Sequence, residues 1–320
     1  MPNRFTYYSL FTGAGLADAG ARAAGMLVKG GVEIEPAYAA IAHLNGFTDV
    51  RVADVRDIDF AAERAAKTIK RPTWLHASPS CQRASCSNPN AGQTKLDIEL
   101  GEATARAITA LEPGYVSIEN VIGYREFFDC LAPIYRALGK YSIISGCLMA
   151  SDYGVPQARK RWFLLASKHR VPTFPTVSYT NPSWNVAVRD LPRPERYKLS
   201  ERMRAMIINK KFDGPVLAAG WNQYTGRERS GLTIIERGQP AMTVIKKMTQ
   251  PSMRPHIVFK DNPTHTYPLT LEMMAALQSA PPDYQFRAPS NKSDVAAFEA
   301  IGNGVPSLLM QKIIEANLPL

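Results

Sequence analysis

Residues 4–35 read "RFTYYSLFTGAGLADAGARAAGMLVKGGVEIE". "RFTYYSLF" is rich in aromatic and β-branched residues and reads as a strand. "TGAGL" breaks it with two glycines, "ADAGARAAGM" has helical composition, and "VKGGVEIE" reads as the next strand. This β–turn–α–β unit repeats outward along the chain. "PAYAAIAHLN" is a helix with Pro36 in its first turn, followed by the strand "VRVADV", the helix "DFAAERAAKTIK" and the strand "TWLHAS". "LGEATARAITALEP" is a helix, "YVSIENV" a strand, and "FFDCLAPIYRALGK" a helix broken at Pro133. "YSIISGCLMAS" and "RWFLLAS" close the run as strands. Such alternation predicts a mainly parallel α/β sheet with helices on both faces.

The texture changes near Lys168. From there the chain is rich in Pro, Gly and Arg, and helical patterning returns only with "LTLEMMAALQSA" near Tyr267. "FEAIGNGVPSLLMQKIIEANL" then gives a Gly-rich turn leading into a terminal helix. The expected organisation is residues 1–167 as one domain, 168–264 as a second, and 265–320 returning to complete the first. Charge follows the same division. Residues 168–260 hold 17 Lys/Arg against 6 Asp/Glu, a net of +11, whereas the whole chain is only +10. A polyanion, nucleic acid above all, is the partner such a segment suits.

Other classes are disfavoured. No apolar run approaches the roughly 20 residues that span a bilayer, and no secretory signal is legible, so a cytoplasmic protein is expected. The four cysteines, Cys81, Cys86, Cys130 and Cys147, form no CxxC pair and lack a histidine at zinc spacing. No metal is expected.

Candidate site residues gather at predicted strand ends, where open α/β sheets bind ligands. Gly13 and Gly15 permit a close approach to the backbone, but Ala17 and Asp18 depart from the GxGxxG dinucleotide pattern. Glu33 and Glu35 end the second strand and Asp54 the third, which favours an adenosine-type cofactor. Cys81 lies just past the fourth strand in "HASPSCQRAS", among turn formers that present a thiol rather than pack it. Glu119 and Asn120 end the fifth. A carboxylate pushed into the interior there has a raised pKa and can donate a proton. "QARKR" places Gln157, Arg159 and Arg161 at alternate positions, on one face if extended.

In this order the motifs resemble the C5-cytosine DNA methyltransferases across most of the chain. "LFTGAGL" is similar to the family's first cofactor motif, "VEIEP" and "ADV" to its ribose and adenine motifs, and "SPSCQRAS" to its nucleophile loop. "ENV", "QARKR" and "IGNGVP" match three more, and the basic segment falls where the family carries its target-recognition domain. The resemblance implies a Rossmann-like class I methyltransferase sheet and S-adenosyl-L-methionine as cofactor. Phe11, Gly13, Gly15, Leu16, Glu33, Ile34 (stacking on adenine), Asp54, Asn303 and Val305 would bind it. It implies that Cys81 adds to cytosine C6, that Glu119 protonates or hydrogen-bonds N3, that Arg159 and Arg161 hold the base, and that Asn120 orients the loop. The partner would be double-stranded DNA, with the target base flipped out, and the protein a monomer. Expected DNA contacts are Ser85, Gln157 and, in "WNQYTGRERSG", Asn222, Gln223, Arg227 and Arg229.

Two departures stand out. Ser80 occupies the place of the family's usual second proline before the cysteine, and "TLEMMAALQSAPPDY" keeps only the outline of its ninth motif. The competing readings are a transfer-RNA cytosine-5 methyltransferase and a catalytically silent DNA-binding protein on the same scaffold. A nicotinamide-dependent oxidoreductase is disfavoured by "SPSCQ" and the missing third glycine.

Overall fold

A computed structural model describes residues 5–80, 92–178, 182–199, 201–208, 210–219, 232–262 and 265–318, with backbone only at 202 and 203. The first strands are β1 (Thr6–Leu10), β2 (Leu27–Glu33), β3 (Val50–Val52), β4 (Trp74–Ala77), β5 (Tyr115–Asn120), β6 (Ser142–Met149), the two-residue β7 (Gln157–Ala158) and β8 (Lys160–Ser167). Seven of them make one sheet in the order β3-β2-β1-β4-β5-β8-β6. The pairs from β3 through β5 are parallel, whereas β8 runs antiparallel to both of its neighbours. The mainly parallel sheet expected from the alternation therefore carries one reversed strand. Its cause is the connection: the ten residues 150–159 between β6 and β8 are too few for a crossover, so the chain folds back as a hairpin.

Helices cover both faces. On one side α3 (Phe60–Ala65), α4 (Lys95–Leu111) and α5 (Phe128–Ala137) bury Phe60, Ile108, Leu131 and Ile134 against the sheet. Thr94 and Asp97 start α4 with a reciprocal capping box, a signal just ahead of the expected helix. Pro133 does not break α5 as expected, because it lies in the second turn and removes only one internal hydrogen bond. On the other face α1 (Leu16–Ala23) packs against α10 (Ser307–Asn317), so the chain's last helix covers its first. The helix α2 (Pro36–Leu44) starts at Pro36 as expected.

The basic segment is more ordered than its composition suggests. It contains α6 (Trp184–Val188), β9 (Tyr197–Lys198), α7 (Glu201–Ile208), β10 (Val216–Ala219), β11 (Thr233–Ile235), β12 (Ala241–Met242) and β13 (His256–Val258). With β14 (His265–Pro268) these build an antiparallel sheet in the order β11-β10-β13-β14-β9. This sheet runs past the expected boundary at residue 264, because β14 pairs with both β13 and β9. The chain returns through α8 (Leu271–Leu277) and α9 (Val295–Asn303), the latter a helix where the sequence reading had only a Gly-rich turn.

Strand β12 leaves the second sheet and pairs with β7 of the first lobe. A buried polar junction locks that seam. Gln157 donates from Nε2 to the Leu277 carbonyl (3.1 Å) and to Gln278 Oε1 (2.7 Å), while its own Oε1 accepts from the Val244 N–H (2.8 Å). Gln278 in turn donates to the carbonyls of Ile301 and Gly304. Both side-chain amides of the junction thus have partners, as burial demands.

Candidate active site

The register of the sheet aligns the carboxyl ends of the parallel strands. Leu10 pairs with Val32 and with Ala77, Ala77 with Ile118, and Asn120 with Trp162 at the start of β8. Four sequence-distant segments therefore meet along one edge: residues 11–15, Glu33 and Ile34, the run from Ser78 to Ser80, and Glu119 and Asn120 beside Arg161. This edge is where such sheets bind ligands.

The turn after β1 is built for close approach. Phe11 has φ +58°, a conformation that a non-glycine residue seldom holds. Gly13 has φ +60° and open space where a side chain would stand. Gly15, at φ +78°, caps α1, and a Cβ there would lie 2.8 Å from Phe47 Cδ2. Tyr284 Oη donates to the Ala14 carbonyl and pins the turn from outside. The Glu33 carboxylate accepts from Gly13 N–H (2.6 Å) and Glu35 N–H (2.9 Å), and burial pushes its pKa up against those bonds. Beside it Ile34 is 61% exposed, an apolar surface on an otherwise polar rim.

These features fit an adenosine cofactor: an apolar face for a ring, a carboxylate for ribose hydroxyls, and an open glycine turn. Other expected contacts take different places. Leu16 and Val305 are almost fully buried and shape the turn from behind, with the Leu16 carbonyl accepting from Ser307 Oγ. Asp54 lies two residues past β3, where it caps a short 3-10 turn and is gripped by Arg56 (Nη2 to Oδ2, 2.6 Å). Asn303 is exposed at the end of α9.

The acid–base half is assembled on β5, buried along its whole length. Glu119 pairs across the sheet with Phe163, so Arg161, two residues earlier in β8, falls on the same face. Its Nε lies 3.2 Å from Glu119 Oε1, an ion pair with only 14% and 6% of the two side chains exposed. The N–H does not point at that oxygen, and Oε1 is buried without a hydrogen-bond partner. Burial raises the Glu119 pKa, and Arg161 and Arg159 oppose the rise without cancelling it. The result is a desolvated carboxyl with an unused oxygen.

Asn120 donates from Nδ2 to the Pro79 carbonyl (3.0 Å), anchoring the chain just before Ser80. Ser78 Oγ reaches the Phe11 carbonyl at 3.4 Å, tying the same run to the cofactor turn. Cys81 and Ser85 lie outside the described residues, as do Asn222, Gln223, Arg227 and Arg229.

Gln157 of "QARKR" does not face the site edge as expected, and Arg159 is buried close enough to Glu119 to oppose the rise of its pKa. Gln157 is fully buried in the seam described above and has no surface to offer DNA. Arg159 is 1% exposed and donates to the carbonyls of Val244 (2.8 Å) and Gly302 (2.9 Å). Arg159 thus joins the basic segment to α9 while adding positive potential near Glu119. The alternation was legible, but the partners that bury two of the three come from residues more than 80 positions away.

A family-wide sequence profile described as C-5 cytosine-specific DNA methylase matches residues 5–318. The chain belongs to this family. It is a DNA cytosine-5 methyltransferase, and type II methyltransferases match it over most of the chain. It is 27% identical to the type II methyltransferase M1.HphI of Haemophilus parahaemolyticus, over 98% of this chain and 87% of that one. It is 25% identical to the type II methyltransferase M.DdeI of Desulfomicrobium norvegicum, over 74% of this chain and 70% of the relative. Among solved structures, the methyltransferase EhMeth of Entamoeba histolytica superposes with a TM-score of 0.68 at 15% identity, covering 98% of both chains. The Dnmt2 methyltransferase of S. pombe does so with a TM-score of 0.65 at 16% identity and the same coverage. These methyltransferases share the fold, including the Rossmann-like sheet described above. In the methyltransferase, the residues missed by sequence reading are Arg56, Tyr284 and Gln278. Tyr284 and Gln278 act through carbonyls distant in sequence, which leave no local pattern, whereas Arg56 grips a carboxylate two residues before it.

Proposed function

We propose that the protein flips a cytosine out of duplex DNA and methylates it at C5, with S-adenosyl-L-methionine as donor, Cys81 as nucleophile and Glu119 as proton donor. The observation that carries this reading is Glu119. It is a buried carboxyl of raised pKa whose Oε1 lies 3.2 Å from Arg161 yet accepts no hydrogen bond, and it is adjacent to Asn120, which holds the Pro79 carbonyl.

Cytosine C6 becomes electrophilic when N3 is protonated or hydrogen-bonded, and the Glu119 carboxyl supplies that proton. The Cys81 thiolate then forms a bond to C6, and the electron pair of the C5–C6 double bond moves to make C5 nucleophilic. Glu33, Ile34 and the Gly13–Gly15 turn would hold S-adenosyl-L-methionine, whose sulfonium would supply the methyl that C5 takes up, with S-adenosylhomocysteine as the leaving group. Loss of the C5 proton restores the double bond and expels Cys81. Arg161, already paired with Glu119, holds charge as it moves through the ring. Asn120 keeps the loop in reach through the Pro79 carbonyl. The base must leave the helical stack to meet this edge, and the basic second lobe would hold the duplex while it does.

The type II methyltransferase relatives favour a restriction–modification setting. Among the described residues no helix is long and apolar enough to cross a membrane. We place the protein in the cytoplasm, acting as a monomer.

Duplex DNA carrying 5-fluorocytosine tests the chemistry, because fluorine at C5 cannot leave as a proton does. With S-adenosyl-L-methionine, the wild type is expected to give a denaturant-resistant protein–DNA adduct, and Cys81→Ala none. An adduct formed by Cys81→Ala would refute the nucleophile. An adduct on transfer RNA but on no mixed-sequence DNA would refute the polymer.

A further inference from the structure

In the basic lobe, two exposed arginines are held against aromatic rings, and neither has a carboxylate partner among the described residues. Arg193 lies between Pro192 and Pro194, in the connection between α6 and β9. Its guanidinium carbon sits 4.9 Å from the Phe259 ring centre and 5.7 Å from that of Tyr267. Arg196 lies 6.0 Å over the same Tyr267 ring and donates from Nε to its hydroxyl at 3.0 Å. The two rings meet edge to face, 5.8 Å apart and inclined at 83°, and both pack against a core that the second lobe shares with the first. Two other exposed cations of this lobe are neutralised locally. Arg189 pairs with Asp190 at 3.1 Å and Lys260 with Asp213 at 2.9 Å.

We propose that Arg193 and Arg196 form a preorganised clamp for the phosphate backbone of the DNA duplex, built on the Phe259–Tyr267 ring pair. The inference rests on the DNA reading above and adds a binding site to it. A guanidinium lying on a ring keeps its charge and its outward N–H groups while losing rotational freedom. Flanking prolines restrict the backbone at Arg193 in the same sense. The Nε of Arg196 is spent on Tyr267, which leaves its terminal nitrogens for a ligand. Two planar forks held on the same Tyr267 ring can each match phosphate oxygens. The surroundings select a polyanion rather than a single acidic side chain, because residues 168–260 carry a net charge of +11.

Binding of the full-length protein to a duplex, measured against salt concentration, tests the clamp. Each phosphate contact contributes about 0.9 to the slope of log affinity against log salt. Arg193→Gln with Arg196→Gln is therefore expected to reduce the slope by about 1.8, so that the variant loses about 12-fold less affinity than the wild type between 50 and 200 mM salt. Arg189→Gln with Lys260→Gln, which removes two locally paired charges, is expected to leave the slope unchanged. Phe259→Leu, which keeps both charges, is expected to weaken binding a few-fold at an unchanged slope. Methyl transfer should survive in the Arg189/Lys260 variant, and unchanged melting temperatures report that all three variants fold. A wild-type slope in the Arg193/Arg196 variant, or an equal drop in the Arg189/Lys260 variant, would overturn the clamp. Either result leaves the methyltransferase reading standing, since that reading is tested separately by the 5-fluorocytosine adduct.

Discussion

Asp18 offers the sharpest quantitative test of the structure. It lies in the first turn of α1, fully buried beneath the cofactor turn. Its Oδ1 accepts from Ser9 Oγ at 2.8 Å, Ser9 Oγ meets Thr12 Oγ1 at 2.8 Å, and Oδ2 is buried without a partner. Burial outweighs Ser9, the residue's own N–H and Arg22, and lifts the carboxyl from 3.8 to about 7. The folded protein thus keeps a proton that the unfolded chain releases above pH 3.8. Stability from this group is fully present below 3.8 and falls by about 1.4 kcal/mol per pH unit as pH rises, levelling off above about 7. The total loss is about 4 kcal/mol. Asp18→Asn keeps the acceptor for Ser9 and cannot titrate. Its amide puts an unsatisfied donor in the interior, which costs about 1–3 kcal/mol but does so at every pH. The magnitude of the cost therefore sets an offset, and only the slope reports on Asp18. Urea unfolding of both proteins from pH 5 to pH 8 should show the variant gaining about 3 kcal/mol relative to the wild type across that range. Other titrating groups, Glu119 included, cancel in the difference. Parallel stability curves would refute a buried, proton-holding Asp18 and the packing that explains it.

Three further outcomes are expected. Glu119→Gln should lower the methylation rate by about 10²–10⁴ and abolish the fall in wild-type rate as pH rises through the raised Glu119 pKa, read from a pH–rate profile. Ile34→Ala should weaken cofactor binding about tenfold by calorimetry through the loss of apolar contact, with an unchanged melting temperature, because the side chain is 61% exposed. Gly302→Ala would put a Cβ 2.6 Å from Lys246 Cα and closer still to its nitrogen, a clash with backbone that no rotamer relieves. It should cost about 1–3 kcal/mol in denaturation and reduce DNA affinity by displacing the seam that Arg159 holds.

Sequence by itself determined the β–α alternation, the glycine turn, the placement of Glu33, Glu119 and Asn120 at strand ends, and the concentration of charge after Lys168. All of these are properties of short windows: composition, period, and the residue types that allow a turn. The reversed β8 was not legible, since a strand's direction depends on the length of the connection that feeds it rather than on its own residues. Nor could the pattern separate the members of "QARKR". Their spacing is regular, yet Arg161 meets Glu119 while Gln157 is consumed by, and Arg159 tied to, backbone groups of the second lobe and the returning helices. Buried polar groups must find partners, and which partners are within reach is decided only when distant segments pack. The same holds for Arg193 and Arg196. In the sequence they are two charges among many, and only the rings of Phe259 and Tyr267, more than 60 residues away, distinguish them from cations that a neighbouring carboxylate neutralises.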